Sequence, residues 1–141
     1  MKVYTIAVAV AALAGAAYAQ EGGRPLAAHL TGAAEKPNAA DPDGAGHATL
    51  KVNVGQKQVC YDLTVEKIAP ATMAHIHKAG PDASGPVAIP LNKPDASGKV
   101  SGCATADEAV VKDILQNPAN YYVNVHNAEF PAGAIRGQLS K

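Results

Sequence analysis

Two imidazoles that share one face of a strand can close on a single metal ion, and His75-Ile76-His77 has that spacing. Residues two apart on a strand stand on the same side, about 6.5–7 Å apart. A third imidazole arrives with Tyr121-Tyr122-Val123-Asn124-Val125-His126. There Tyr121, Val123 and Val125 suit a core, while Tyr122, Asn124 and His126 fall on the opposite face. With Ile76 also facing inward, His75, His77 and His126 form one outward patch if the two strands are neighbours. Neutral imidazole suits copper and zinc alike, and the divalent affinity order places copper first. The alternative for a His-x-His pair is two solvated or hydrogen-bonded histidines on a sheet face.

Several side chains flank this set. Met73 extends the stripe to Met-x-His-x-His and is either a thioether for copper(I) or a packing residue. His47 opens a strand beside Gly46 and is the reserve if a fourth nitrogen is needed. His29 reads as a surface or hydrogen-bonded residue. Tyr122 lines the patch. Arg136 alternates outward and either steers an anion or pairs with Glu129, Glu35 or a backbone carbonyl. No Gly-x-Ser-x-Gly elbow and no phosphate loop is present, so hydrolytic chemistry has no visible owner.

The elements that must position these residues are short strands. Ala48, Leu50, Val52 and Val54 alternate with polar residues, as do Val59, Tyr61, Leu63 and Val65, which predicts a hairpin through Gly55-Gln56-Lys57. Further strands are predicted at 73–77, 87–91, 99–105, 120–126 and 134–139, with Pro and Gly between them. The stretch 26–30 alternates poorly. One helix is announced by a capping box at Thr105-Ala106-Asp107-Glu108 and stopped at Gln116-Asn117-Pro118. Val110, Val111, Ile114 and Leu115 form its apolar face, which should pack across an end or edge of the sheet. The expected fold is therefore all-β, an antiparallel sandwich or barrel with one short helix.

At the N-terminus, Lys2 precedes an apolar run over 5–14, and Ala17-Tyr18-Ala19 supplies small residues at −3 and −1 before Gln20. This reads as a signal peptide over 1–19, followed by a flexible lead-in over 20–25 and a single domain over 26–141. The run is too short to span a bilayer, so no membrane insertion is expected after cleavage, and the protein is expected in a periplasm or outside the cell. The 12 basic side chains balance the 12 acidic ones, and the leader removes only Lys2. No basic field is left to hold nucleic acid. Cys60 and Cys103 are the only cysteines, and in an exported chain the pair reads first as a disulfide, with a thiolate metal pair as the competing reading.

Five separated segments carry a resemblance. They are Leu30-Thr31-Gly32-Ala33-Ala34-Glu35-Lys36-Pro37, Ala74-His75-Ile76-His77, Gly85-Pro86-Val87, Tyr122-Val123-Asn124-Val125-His126, and the run from Phe130 to Gln138. In this order they resemble the CHRD domain, named for chordin and also found in exported bacterial proteins. The resemblance implies a Greek-key, immunoglobulin-like β-sandwich or barrel similar to that of copper-zinc superoxide dismutases. By that looser likeness His75, His77 and His126 fall on copper-ligand positions, and Arg136 on that of an anion guide. The chain departs from the dismutases in having no histidine between His77 and His126, which leaves out the bridging imidazole and the zinc loop. Three functions follow as expectations. The first is an exported metal-binding module, with copper before zinc. The second is a copper-only dismutase-like enzyme. The third is an extracellular structural or protein-interaction module without metal.

Overall fold

A computed structural model describes residues 23–141 of the chain. The signal peptide expected over 1–19 and the first part of the expected lead-in lie outside the described residues. Eight strands form one antiparallel sheet: β1 (Arg24–Thr31), β2 (Ala45–Asn53), β3 (Gln58–Glu66), β4 (Ala71–Lys78), β5 (Val87–Leu91), β6 (Lys99–Thr105), β7 (Tyr121–Asn127) and β8 (Ile135–Gln138). Their order is β5-β4-β7-β8-β1-β2-β3-β6, and β5 and β6 come into contact at the two ends of that order, so the sheet nearly closes into a barrel. Placing β7 beside β4 and β6 beside β3 requires connections that cross over, the Greek-key arrangement. The expected all-β architecture with one short helix is what forms.

Alternation decides which side chains meet inside. Leu50, Val52, Val59, Leu63, Ala74, Ile76, Ile89, Val123, Val125 and Ile135 each expose 1 % or less of their surface. The β2–β3 hairpin turns where predicted, with Lys57 at φ 53° and the Asn53 side chain accepting the Gln56 N–H at 3.0 Å.

One strand escaped the pattern. β1 begins at Arg24, inside the expected lead-in, and pairs residue by residue with β2 from Arg24↔Val52 to Thr31↔Ala45. Leu26, Ala28 and Leu30 do alternate inward. Ala27 and Ala28 are both small and apolar, however, which blurs the period in the sequence.

The helix, α1 (Glu108–Gln116), has Val111 and Ile114 in the core. It joins the end of β6 to the start of β7 and so covers one end of the barrel. Its cap differs from the expected box. Thr105 is the last residue of β6, Asp107 stands at the N-cap, and no side chain caps the helix. Strand pairing of Thr105 opposite Gln58 removes it from that role. Helix and sheet are also clamped from outside: the Asp113 carboxylate accepts from Tyr121 Oη at 2.5 Å and pairs with Lys78 Nζ at 2.8 Å.

Cys60 and Cys103 form a disulfide between directly opposed positions of β3 and β6. It staples the last strand of the sheet across a sequence separation of 43, for which loop-closure entropy gives at most about 4 kcal/mol. Both thiolates are thereby removed from any ligand set. Among the described residues, no helix is long and apolar enough to cross a membrane.

Candidate metal centre

β4 and β7 are hydrogen-bonded neighbours, so the strand condition for the histidine patch is met. Their register sets Met73 opposite His126, His75 opposite Asn124 and His77 opposite Tyr122, and β8 continues these rows with Arg136 and Gln138. All of these residues stand on the outer side of the barrel wall. His75, His77 and His126 each offer one nitrogen, and the three nitrogens lie within 4.8 Å of one another. His75 Nδ1 and His126 Nε2 are 3.1 Å apart.

The outer face is not open to solvent, which corrects the outward patch read from alternation. Tyr122 is 3 % exposed, Asn124 2 %, His126 7 %, His77 9 % and Arg136 1 %, while His75 is half-buried. A period of two separates the faces of a strand but says nothing about what covers the outer one. Here the connections over 79–86 and 128–134 cover it. Arg136, expected to point outward, donates to Ala83 O and Gly80 O at 2.8 Å each and to Gln138 Oε1, with its guanidinium 3.5 Å from the centre of the Tyr122 ring. The backbone-carbonyl alternative is therefore its role. Gln138 holds the same segment through Ala79 O at 3.0 Å.

Gly85 anchors this cover to the histidines. Its carbonyl accepts from His77 Nδ1 at 2.8 Å, and its N–H donates to Tyr122 Oη at 3.2 Å. Tyr122 also stacks flat on the His77 ring, with centroids 4.9 Å apart and planes 2° apart. On the other strand, Pro131 O accepts from His126 Nδ1 at 3.0 Å. A carbonyl can only accept, so both Nδ1 atoms carry hydrogen, and in the neutral ring that leaves Nε2 with the lone pair. This second ring of carbonyls is the support that metal-binding histidines ordinarily have.

The lone pair of His77 Nε2 is buried and has no hydrogen-bond partner. Such an orphan is costly unless something outside the chain meets it. Burial, with the neighbouring imidazoles acting in the same direction, pulls His75 below the usual histidine value. Burial also lowers His77, helped by His126 and Arg136, against the opposing pull of the Gly85 carbonyl and of the Asn124 side chain beside it. Both rings are held neutral, the form a metal requires. Three nitrogens around an ion at 2.0–2.1 Å stand about 3.5 Å apart, so the 3.1 Å pair of His75 and His126 must part slightly, and spacings that reach up to 4.8 Å must close by about 1 Å. The residues fit the three protein ligands of a copper or zinc ion that keeps one further position open.

Gly85 is a close approach: a Cβ there would lie 1.9 Å from Lys78 O. Gly85→Ala must therefore push the segment away from His77. Loss of such outer support is expected to weaken copper binding about 10–100-fold. Gly80, where a Cβ would meet nothing within 4 Å, provides the control, since Gly80→Ala should bind as wild type in the same titration.

Glu35 was not read as part of this region beyond a partner for Arg136. It is 4 % exposed, and its carboxylate packs on Gly133, whose φ of +137° admits no ordinary side chain. Burial pushes its carboxyl up to about 7, against the opposing influence of Arg136, Asn124 and the Lys36 backbone. The folded protein thus holds a proton that the unfolded chain releases near pH 4.5. The stability this contributes is present below that pH and is lost as pH rises toward 7, on the order of 2–3 kcal/mol. The lowered His75 and His77 slope the opposite way near pH 6.5, so the comparison must be made between variants. Glu35→Gln should flatten the fall in urea midpoint between pH 5 and 8, and an unchanged slope would show that Glu35 titrates normally.

Of the reserve residues, His47 does not join the cluster. It lies on β2 opposite His29 of β1, and both are exposed. The residues that sequence reasoning missed are Gly85 and Pro131, which act through carbonyls, and Asn124, whose Oδ1 is a further buried orphan. Gly85 and Pro131 stood inside the motifs, but a backbone acceptor leaves no residue-type signal.

Among curated proteins and among solved structures, nothing matches the chain. The CHRD domain family matches residues 26–139, nearly the whole described chain, including all eight strands except the first two residues of β1. On that match, the chain belongs to the CHRD domain family.

Proposed function

We propose that this CHRD domain is an exported module that binds one transition-metal ion, copper before zinc, through His75 Nδ1, His77 Nε2 and His126 Nε2, with the hydrogen that His75 Nδ1 gives to His126 moving to His75 Nε2 as the ion enters. The observation that carries the reading is the buried, unpartnered Nε2 of His77, held beside two further imidazole nitrogens by the Gly85 and Pro131 carbonyls. Export is supported by the leader-like sequence over 1–19 and by the disulfide, which oxidising compartments favour.

The chain's own residues orient and shield. Gly85 and Pro131 fix the two tautomers, Tyr122 stacks on one ring, and Arg136 and Gln138 fasten the cover that keeps water from His77. A bound copper ion would supply Lewis acidity and a redox couple. Arg136 is engaged on both sides of its fork and is 1 % exposed, so nothing favours it as a guide for anions.

Elemental analysis of the protein purified from its native compartment tests the reading. One equivalent of copper or zinc per chain is expected, lost on exposure to a strong chelator and regained on dialysis against the ion. A metal-free protein that takes up no ion on dialysis would contradict it and leave a metal-free interaction module.

A further inference from the structure

Met73 is one of two large apolar side chains left exposed among the described residues, at 48 %. It belongs neither to the core nor to the partly buried residues packed against it, so the packing explanation for this methionine does not hold. It shares the outer face of β4 with His75 and His77 and stands directly opposite His126 on β7. Opposed residues of an antiparallel pair have Cβ atoms about 4.5–5.5 Å apart, within reach of an unbranched side chain with three rotatable bonds. The register shifts between Ala71 and Met73, and such bulges re-aim a side chain and recur beside functional sites.

The cluster is closed at its other end. The Gly85 segment and Tyr122 cap His77, so along β4 the order is Met73, His75, His77, cover. A ligand that completes the coordination of the three imidazoles therefore has its opening on the Met73 side. A thioether is neutral and soft, which favours copper(I) over copper(II) and zinc.

We propose that Met73 is a thioether ligand that completes the three-histidine site for copper(I), making it a site for both oxidation states of copper. The inference rests on the three-histidine reading above and adds to it a fourth ligand and an oxidation-state preference.

Met73→Leu keeps size and apolarity and removes the sulfur. Chelator competition, with copper(I) under anaerobic reducing conditions and with copper(II) in air, should show copper(I) affinity falling at least about tenfold while copper(II) affinity changes less than about threefold. X-ray absorption of the copper(I)-loaded wild type should show a sulfur neighbour that Met73→Leu lacks. Met73 is the only methionine besides Met1, so the assignment is unambiguous. Unchanged copper(I) affinity with no sulfur neighbour would overturn the inference while leaving the three-histidine site standing. Equal losses for both oxidation states would also overturn it, since shape rather than sulfur would be responsible. A wild type that binds neither form would remove the three-histidine reading and this inference together.

Discussion

His77→Ala is expected to lower copper affinity by at least about 100-fold, more than His75→Ala or His126→Ala, in chelator competition at neutral pH. His77 has the most to lose because its environment is the most prepared. Its Nδ1–H is held by the Gly85 carbonyl, its face is held by Tyr122, and its Nε2 has no other partner. In His75→Ala and His126→Ala, two pre-oriented or adjacent nitrogens remain, so smaller but clear losses are expected. The 3.1 Å contact between His75 and His126 is broken in either of them, which removes a hydrogen bond of the metal-free state as well. Equal affinities in all four proteins would dissolve the site.

Arg136→Met should cost about 3 kcal/mol or more in urea denaturation. The substitution removes the guanidinium donor from Ala83 O and from Gly80 O, which keeps only the Ala83 N–H at 3.3 Å, and takes the nearby positive charge from Glu35. It also strips the guanidinium from the face of Tyr122. Arg136→Lys is expected to recover little, because one ammonium cannot serve two carbonyls, a glutamine oxygen and an aromatic face at once. The loosened cover should reach the metal as well, since the segment Arg136 fastens is the one carrying Gly85. A loss below about 1 kcal/mol would mean that the segment is held by other contacts.

Much of the fold was legible because strands with one buried face write their period into the sequence. The 87–91 and 99–105 strands lie where the pattern put them. β1 was hidden by its adjacent alanines, and the helix cap was misplaced because a local four-residue motif could not reveal that Thr105 is already committed to β6. The three histidines were legible from spacing once β4 and β7 were assumed to be neighbours. Their burial was not. It depends on long-range contacts, Arg136 to Gly80 and Ala83 and Gly85 to His77 and Tyr122, and no local pattern encodes these. His47 failed as a reserve ligand for a related reason, since its strand pairs with β1 rather than with β4 or β7.

The most direct test is anomalous diffraction at the copper edge from crystals of the copper-loaded protein. One peak is expected about 2.0 Å from His75 Nδ1, His77 Nε2 and His126 Nε2, between β4 and β7. A strong peak at the exposed His29 and His47 pair instead, or no peak beside His77, would contradict the account.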